Sequence, residues 1–286
     1  MQESSGQLGA LIVLYMRTAY VLVAVSIALI STLVGRFLAV TEILKDVRTH
    51  GFEQCWKVPA GKAPEDVQLI PGTNELLMGV DDRMALWNSP GKGPKDTPSG
   101  GISTMTAPKD SSEKPQIRPI ELESWPKGVA FHPHGLYIRN NELYVVNHAY
   151  SEGGERVEVF LISNVSAQVR LTYSRSLLLP DYMLGIANEV VFVSEQDFFV
   201  STWLPRADTA QGRSHSLWRS LQGMLGMLLG LEDTYVHKCR GTQGPVECRV
   251  VASGLSMNGL TLMGRNSGRW IQLGKWSSAS LLRRRK

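Results

Sequence analysis

Hydrophobic residues are distributed unevenly along the chain, and the clearest contrast lies at the amino terminus. Residues 18–35 contain no charged side chain, and residues 8–16 extend the apolar run across Arg17. A helix over residues 18–35 would be about 27 Å long, which just matches the roughly 30 Å hydrocarbon core of a bilayer. The pattern therefore predicts a transmembrane helix over residues 18–35, within an amino-terminal segment of residues 1–46.

The length of this run favours an uncleaved signal anchor. A cleavable signal peptide has an apolar run of about 7–15 residues followed by small residues in an A-x-A-like pattern. Here the run is longer, and residues 33–36 read Leu-Val-Gly-Arg, which is a poor cleavage site. A cleaved signal and a buried helix of a soluble protein are the alternatives.

Two signals on membrane topology conflict. Arg36, Lys45 and Arg48 outnumber Arg17 and the amino terminus, so counting positive charges would leave the following domain in the cytosol. The glycosylation sequon at residues 164–166 points to the lumen instead. We predict a single-pass membrane protein of the endoplasmic reticulum or secretory pathway, with a lumenal or extracellular domain.

Beyond about residue 50 the chain alternates short apolar runs with turns. The predicted strands cover residues 75–80, 142–146, 157–162, 189–193, 197–202, 249–252 and 269–273. Many short strands with few helical patterns indicate an all-β sandwich, barrel or propeller.

Two segments depart from the strand pattern. Residues 88–112 are rich in Pro, Gly, Ser and Lys, and we interpret most of this segment as an exposed loop. Residues 215–231 carry apolar residues at helical spacing, although three glycines weaken a helix there. This helix could pack on the domain, cover a site as a lid, or contact a membrane surface.

Composition and charge narrow the function classes. The 286 residues are 43% hydrophobic and 20% charged, which excludes a disordered chain. The formal net charge of +4 is matched by the four basic residues at 283–286, so the pI near 9.0 does not indicate a nucleic-acid surface. Three cysteines are too few for a disulfide scaffold, but Cys239 and Cys248 flank a Gly-Pro turn and could pair in an oxidising lumen.

Two histidines are candidates for acid–base chemistry. His134 and His148 lie on either side of a predicted tight turn, and a hairpin could bring them together, one as a base and the other to orient it. Packed, hydrogen-bonded histidines at strand ends are the ordinary alternative. Zinc is less well supported, because no carboxylate or third histidine lies at ligand spacing.

These residues belong to motifs that resemble those of the paraoxonase/arylesterase family, in the same order along the chain. The matching motifs are Pro64-Glu65-Asp66-Val67, Phe131-His132-Pro133-His134-Gly135, Tyr144-Val145-Val146-Asn147-His148, Leu184-Gly185-Ile186-Ala187-Asn188 and Asn258-Gly259. The resemblance covers roughly residues 50–265. It implies a six-bladed β-propeller with two calcium ions in its central tunnel, and hydrolysis of lactones, aryl esters and some organophosphates.

The resemblance also implies roles for individual residues. Glu65, Asn188 and Asn258 look like side-chain ligands of the catalytic calcium. His134 resembles the general base of the family, and His148 resembles its partner in a dyad.

A second, structural calcium is implied in the same way. Asp66 and the backbone carbonyl of Leu136 look like its ligands, together with Glu189, which stands where the family has an aspartate. Cys55 lies where the family has a cysteine bonded to the carboxyl terminus, and no such partner exists here. We therefore expect Cys239 to pair with Cys248 and Cys55 to be free.

The carboxyl-terminal region departs from the family pattern. The family supplies two further catalytic-calcium ligands from a downstream Asp-Asn pair, whereas residues 259–286 contain no acidic residue. We therefore expect residues 47–286 to form a partial propeller that lacks about its last two blades, with weakened calcium binding. Little or no turnover is expected from such a site.

Three functional readings follow. The first is an anchored, calcium-dependent arylesterase or lactonase that acts on a small ester or lactone. The second is a membrane-anchored pseudoenzyme of the same family without catalysis. The third, a soluble lactonase propeller of the wider calcium-dependent phosphotriesterase group, explains the two histidine motifs less well.

Overall fold

The structure is a computed structural model, and its elements fall into two compact units. It describes residues 3–41, 43–44, 57–59, 63–82, 99–108, 110, 112–113, 115–165, 168–213, 216–254, 257–265, 268–275 and 280–283. One unit comprises Met1–Thr49 with Gln222–Leu231, and the other comprises His50–Leu221 with Glu232–Lys286. The expectation for Cys55 lies outside the described residues.

Helix α1 (Glu3–Thr41) confirms the predicted apolar helix and extends it in both directions. The hydroxyl groups of Thr18 and Thr32 donate to carbonyls one turn earlier, so these polar side chains are satisfied within the helix. Val13–Ala39 is long and apolar enough to cross a membrane, and none of its residues is buried. Length, composition and exposure therefore agree with a membrane-spanning helix.

Helix α2 (Leu217–Leu229) confirms the helix predicted within residues 215–231. Large apolar side chains on it are exposed, among them Leu217 and Trp218 in its first turn. Its start is held by Arg219, whose guanidinium donates to the carbonyl of Arg206 at 2.7 Å and to Asp208 at 2.9 Å.

Most strands lie in four sheets, in which neighbouring strands are antiparallel. The first sheet contains β1 (Ala63–Leu69), β2 (Glu75–Asp81), β3 (Gly101–Thr106) and β4 (Ile117–Ile120). The second contains β6 (Pro133–Arg139), β7 (Glu142–His148), β8 (Glu155–Val165) and β9 (Gln168–Leu178). The third contains β10 (Ala187–Phe192), β11 (Asp197–Thr202), β12 (Thr234–Arg240) and β14 (Glu247–Gly254), and the fourth β15 (Met257–Arg265), β16 (Gly268–Lys275) and β17 (Ser280–Arg283). Two short strands, β5 (Leu122–Glu123) and β13 (Gly244–Pro245), pair in parallel with β9.

Within each sheet the strands follow chain order, and the first strands of successive sheets are neighbours. Strand β1 lies beside β6, β6 beside β10, and β10 beside β15. Apolar side chains fill the space between sheets: Tyr144 of β7 stacks on Phe192 of β10 at 3.8 Å between ring centroids. A second cluster joins Leu77 of β2 to Leu136 and Val145 of the second sheet. Separate apolar clusters between neighbouring sheets therefore hold the first strands side by side.

Each predicted strand overlaps an observed one, but the predicted loop at residues 88–112 is wrong over residues 101–106. These residues form β3, in which Ile102 is 1% exposed. The Thr104 hydroxyl donates to Glu75 at 2.8 Å, so a polar side chain is satisfied inside the sheet. Pairing with β2 and β4 explains why a sequence with weak strand character is buried here.

Cys239 and Cys248 form the predicted disulfide. They lie directly opposite each other on β12 and β14, with their Cα atoms 4.1 Å apart. The Gly-Pro turn between them forms β13, which pairs with Leu177 and Leu178. The disulfide hairpin is thereby attached to the neighbouring sheet.

Candidate active site

The β6–β7 hairpin places His134 and His148 in contact, as the sequence predicts. Nδ1 of His134 lies 2.9 Å from Nε2 of His148. The two residues are 7% and 1% exposed. The register of pairing with β7 shifts between Pro133 and Leu136, at the start of β6. An irregularity of this kind can change the direction of a side chain, here that of His134.

Glu155 continues this hydrogen-bonded chain and was not predicted from the sequence. It lies directly opposite His148 across β7 and β8, and its carboxylate oxygens lie 2.8 and 3.0 Å from His148 Nδ1. Its side chain is fully buried. The one feature of the sequence that could have indicated this contact is that Glu155 follows His148 by seven residues, across a short turn.

Glu65 lies on the other side of His134. Its carboxylate is 3.3 Å from His134 Nε2. Glu65 lies within β1, where the register shifts between Pro64 and Asp66. A neutral imidazole nitrogen that carries no proton and a carboxylate are both acceptors, so this contact requires a proton or a cation between them.

The residues expected at the structural calcium also converge. The backbone N–H of Leu136 donates to Asp66 Oδ2 at 2.7 Å, so it is the amide of Leu136 that contacts Asp66. Burial raises the pKa of Glu189 well above its usual range, and the charge of Asp66 raises it further. Two neighbouring carboxyl groups of this kind are a suitable environment for a hard cation.

Gly135 allows β10 to approach this group of residues. A Cβ atom at Gly135 would lie 2.3 Å from the carbonyl oxygen of Asn188 and 2.8 Å from the Cα atom of Glu189. Asn188 is 7% exposed. The glycine of the Pro-His-Gly motif is therefore required for packing between β6 and β10.

Asn258 is the exception among the six predicted ligands, because it alone is exposed. It lies in β15, which is a neighbour of β10. Among the described residues, no group of three or more His, Cys, Asp or Glu side chains is arranged to hold a metal ion. The donors present are carboxylates, amides and backbone groups, and this oxygen-rich chemistry fits calcium better than zinc.

A second histidine–carboxylate pair lies next to the first and was also missed. His132 Nδ1 is 3.1 Å from Asp81 Oδ2, and both side chains are almost completely buried. The backbone N–H of His132 donates to Asn147 at 2.8 Å, and its carbonyl accepts from the N–H of His148. The ion pair thus fastens the residue before β6 to the end of β2, and the two backbone bonds fasten it to the end of β7.

Comparison with models of protein families and with curated proteins finds no match. Similarity to the paraoxonase/arylesterase family thus rests on the motifs. The geometry adds one observation about the motif residues: the side chains of Glu65, His134 and His148, which are widely spaced in sequence, contact one another in a row, and Asp66 accepts from the backbone N–H of Leu136 nearby.

Proposed function

We propose that the chain is a calcium-dependent hydrolase of carboxylic esters and lactones, of the paraoxonase/arylesterase type. The observation that carries this proposal is the His134–His148 pair, whose outer nitrogen faces Glu65. A buried pair with one nitrogen directed to a carboxylate is suited to proton transfer at that nitrogen.

His134 would act as the general base. Its Nε2 takes a proton from the attacking water, while the water oxygen forms a bond to the carbonyl carbon of the ester. The same proton returns to the leaving alkoxide when the carbon–oxygen bond breaks. His148 holds the His134 ring through the 2.9 Å contact between Nδ1 and Nε2.

Calcium would be held by the residues that the family resemblance indicates. Glu65, Asn188 and Asn258 would bind the catalytic ion, which polarises the ester carbonyl and stabilises the oxyanion when bound. Asp66 and Glu189, with the backbone of Leu136, would bind the structural ion. The charge of Asp66 beside buried Glu189 supports a cation at that position.

The four sheets would be blades of a β-propeller. Chain-ordered strands and neighbouring first strands support this arrangement, because successive blades of a propeller meet at their innermost strands. In that architecture β1, β6, β10 and β15 would line the central tunnel, where the family has its calcium ions.

The domain would lie in the lumen of the endoplasmic reticulum or secretory pathway, anchored by α1. The Cys239–Cys248 disulfide supports an oxidising compartment, and the sequon at Asn164 supports glycosylation. Endoglycosidase should change the mobility of the wild-type protein from microsomes but not of Asn164→Gln. No change in either protein, with digestion by external protease, would place the domain in the cytosol.

Hydrolysis is tested with phenyl acetate and a δ-lactone, using the full chain in detergent with millimolar calcium. We expect slow turnover that a chelator abolishes and that His134→Gln removes. His237→Gln is the matched control, since His237 is also buried but lies in β12. Turnover that survives both chelation and His134→Gln would refute the proposal.

A non-catalytic, membrane-anchored protein of the same type is the second candidate. The exposure of Asn258 favours it, because an incompletely enclosed ligand set binds calcium more weakly. Calcium binding detected by calorimetry without any ester or lactone hydrolysis would select this candidate.

A further inference from the structure

We propose that Glu155 is a positioning residue: its carboxylate sets the direction of the hydrogen bonds through His148 and His134, and ties both histidines to the turn before Asn188. The proposal deepens the proposed function and rests on it for catalysis. Its structural part, the protonation pattern of the two imidazoles, can be tested without any activity.

Glu155 accepts hydrogen bonds from three directions. Besides the contacts to His148 Nδ1, its Oε2 accepts from the backbone N–H of Gly185 at 2.9 Å and its Oε1 accepts from the backbone N–H of Ala187 at 3.1 Å. A backbone N–H can only donate, so both carboxylate oxygens are already used as acceptors. The contact to His148 is then completed by a third donor, the Nδ1–H group of His148.

The Glu155 carboxylate, as an acceptor, determines the direction of the hydrogen bonds through His148 and His134. Nδ1 of His148 must carry the proton that it shares with Glu155, which leaves Nε2 of neutral His148 as an acceptor. The 2.9 Å contact then requires Nδ1 of His134 to donate to that nitrogen. Nε2 of neutral His134, the nitrogen 3.3 Å from Glu65, is left with its lone pair. Glu155 thus selects the tautomer in which His134 can act as a base.

The same carboxylate positions the backbone that leads into β10. Gly185 has a φ of +70°, and a Cβ atom there would lie 2.5 Å from Asp208 Oδ2 and 2.8 Å from the Tyr150 hydroxyl oxygen. Arg213 donates to the carbonyl of Gly185 at 3.3 Å. The turn is therefore held on one side by Glu155 and on the other by Asp208 and Arg213, three residues before Asn188.

The decisive variant is Glu155→Gln, with Glu158→Gln as its matched control. The glutamine side chain has the same shape as glutamate, but its NH₂ group is a donor. At least one of the N–H groups around it would then face another donor instead of an acceptor. Glu158 is a second fully buried glutamate on β8, and it binds Asn147 and Ser176 instead of the two histidines. Both variants remove a buried carboxylate from the same strand, and only one removes a contact to His148.

The primary measurement is nitrogen NMR of the full chain in detergent with 15N-labelled histidine, assigned with His134→Gln and His148→Gln. In the wild type with millimolar calcium present, we expect both imidazoles to be protonated on Nδ1 and to carry no proton on Nε2. Glu155→Gln should shift His148 toward the other tautomer, whereas Glu158→Gln should leave both rings unchanged. Protonation of His148 on Nε2 in the wild type would overturn the proposal, and this observation does not require the Glu155→Gln protein to fold.

Kinetics provide the second measurement. Glu155→Gln should lower kcat by about 10² to 10⁴ while KM stays close to the wild-type value, because an incorrect histidine tautomer affects the reacting state more than substrate binding. Glu155→Asp, which keeps the carboxylate, should recover part of the loss. Unchanged kcat in a folded Glu155→Gln protein would overturn the catalytic part. If the wild type hydrolyses nothing, the proposed function fails while the NMR result still decides the role of Glu155.

Discussion

His132 and His134 are separated only by Pro133, yet the structure gives them different environments. Each contacts a carboxylate of the first sheet: His132 binds Asp81, and His134 faces Glu65. The first pair is closed, with side chains 1% and 0% exposed, whereas the side chains of the second are 9% and 23% exposed. A histidine–carboxylate pair is thus a buried contact between strands at His132, and a partly solvent-accessible contact at His134.

The second difference lies in what each ring contacts beyond its carboxylate. The other nitrogen of His134 continues into His148 and Glu155. Nε2 of His132 has no hydrogen-bond partner among the described residues. Because proton transfer needs an accessible nitrogen and a defined partner for the opposite one, the proposed general base is His134, and we expect His132 to have a structural role.

The strongest test of this comparison exchanges the two histidines for glutamine. His134→Gln should lower kcat/KM for phenyl acetate by at least about 10²-fold and leave the melting temperature nearly unchanged. His132→Gln should do the reverse, because it disturbs a buried pair and not the base. The assignment fails if His132→Gln removes activity from a protein that melts like the wild type.

Gly135→Ala tests whether the His134 site depends on close packing by β10. The new methyl group would meet the Asn188 carbonyl at 2.3 Å, so we expect a loss of about 2–3 kcal/mol of stability together with weaker calcium binding. Gly101→Ala is the control, since a Cβ there meets nothing within 4 Å. Denaturant unfolding and calorimetry measure the two effects, and equal losses in both variants would contradict this account.

Asp81→Asn tests the closed pair. It weakens a buried hydrogen bond to a charged group, and we expect the free energy of unfolding to fall by about 1–3 kcal/mol. Asp82→Asn, at the exposed neighbouring position, should have almost no effect. Turnover per folded molecule should be unchanged in both proteins, and a selective loss of kcat in Asp81→Asn would make His132 part of the active site.

His237 offers a third, smaller contrast, since it is buried beside Tyr182 and Tyr235. Burial lowers the pKa of His237 from 6.5 to about 4. The unfolded chain therefore takes up a proton that the folded chain excludes, and stability falls as the pH drops from about 6.5 toward 4. His237→Phe should lose this part of the pH dependence, about 2 kcal/mol or less, in thermal melts across that range. Parallel stability curves for the two proteins would show that His237 is not the group responsible.

Local patterns were sufficient for the helices, most strand positions and one part of the site. The apolar run gave α1, and a tight turn between two strands placed His134 near His148. A hairpin fixes which residues face each other over a short distance, so this contact could be inferred from sequence spacing. The same reasoning gave the Cys239–Cys248 pair.

Contacts between distant segments could not be inferred in this way. Residues 101–106 look like loop sequence, and only pairing with β2 and β4 buries them as a strand. Asp81 and the exposed Asp82 beside it are the same type of residue. Asp81 has a different role because it contacts His132, which precedes a strand of another sheet. Such contacts arise when sheets pack together, and the alternation of apolar and polar residues within one segment does not predict which segments will meet.

The amino-acid sequence by itself determined the apolar amino-terminal helix, the strand-rich character of the remainder and the proximity of His134 to His148, because each follows from side-chain periodicity or a short turn. The tertiary structure decided which carboxylate meets each histidine. Glu155 reaches the turn at Gly185 and Ala187, and Glu65 reaches His134, only because the first strands of separate sheets lie side by side. The hydrogen-bond direction that we propose for His134 and His148 therefore depends on contacts that only the packed sheets create.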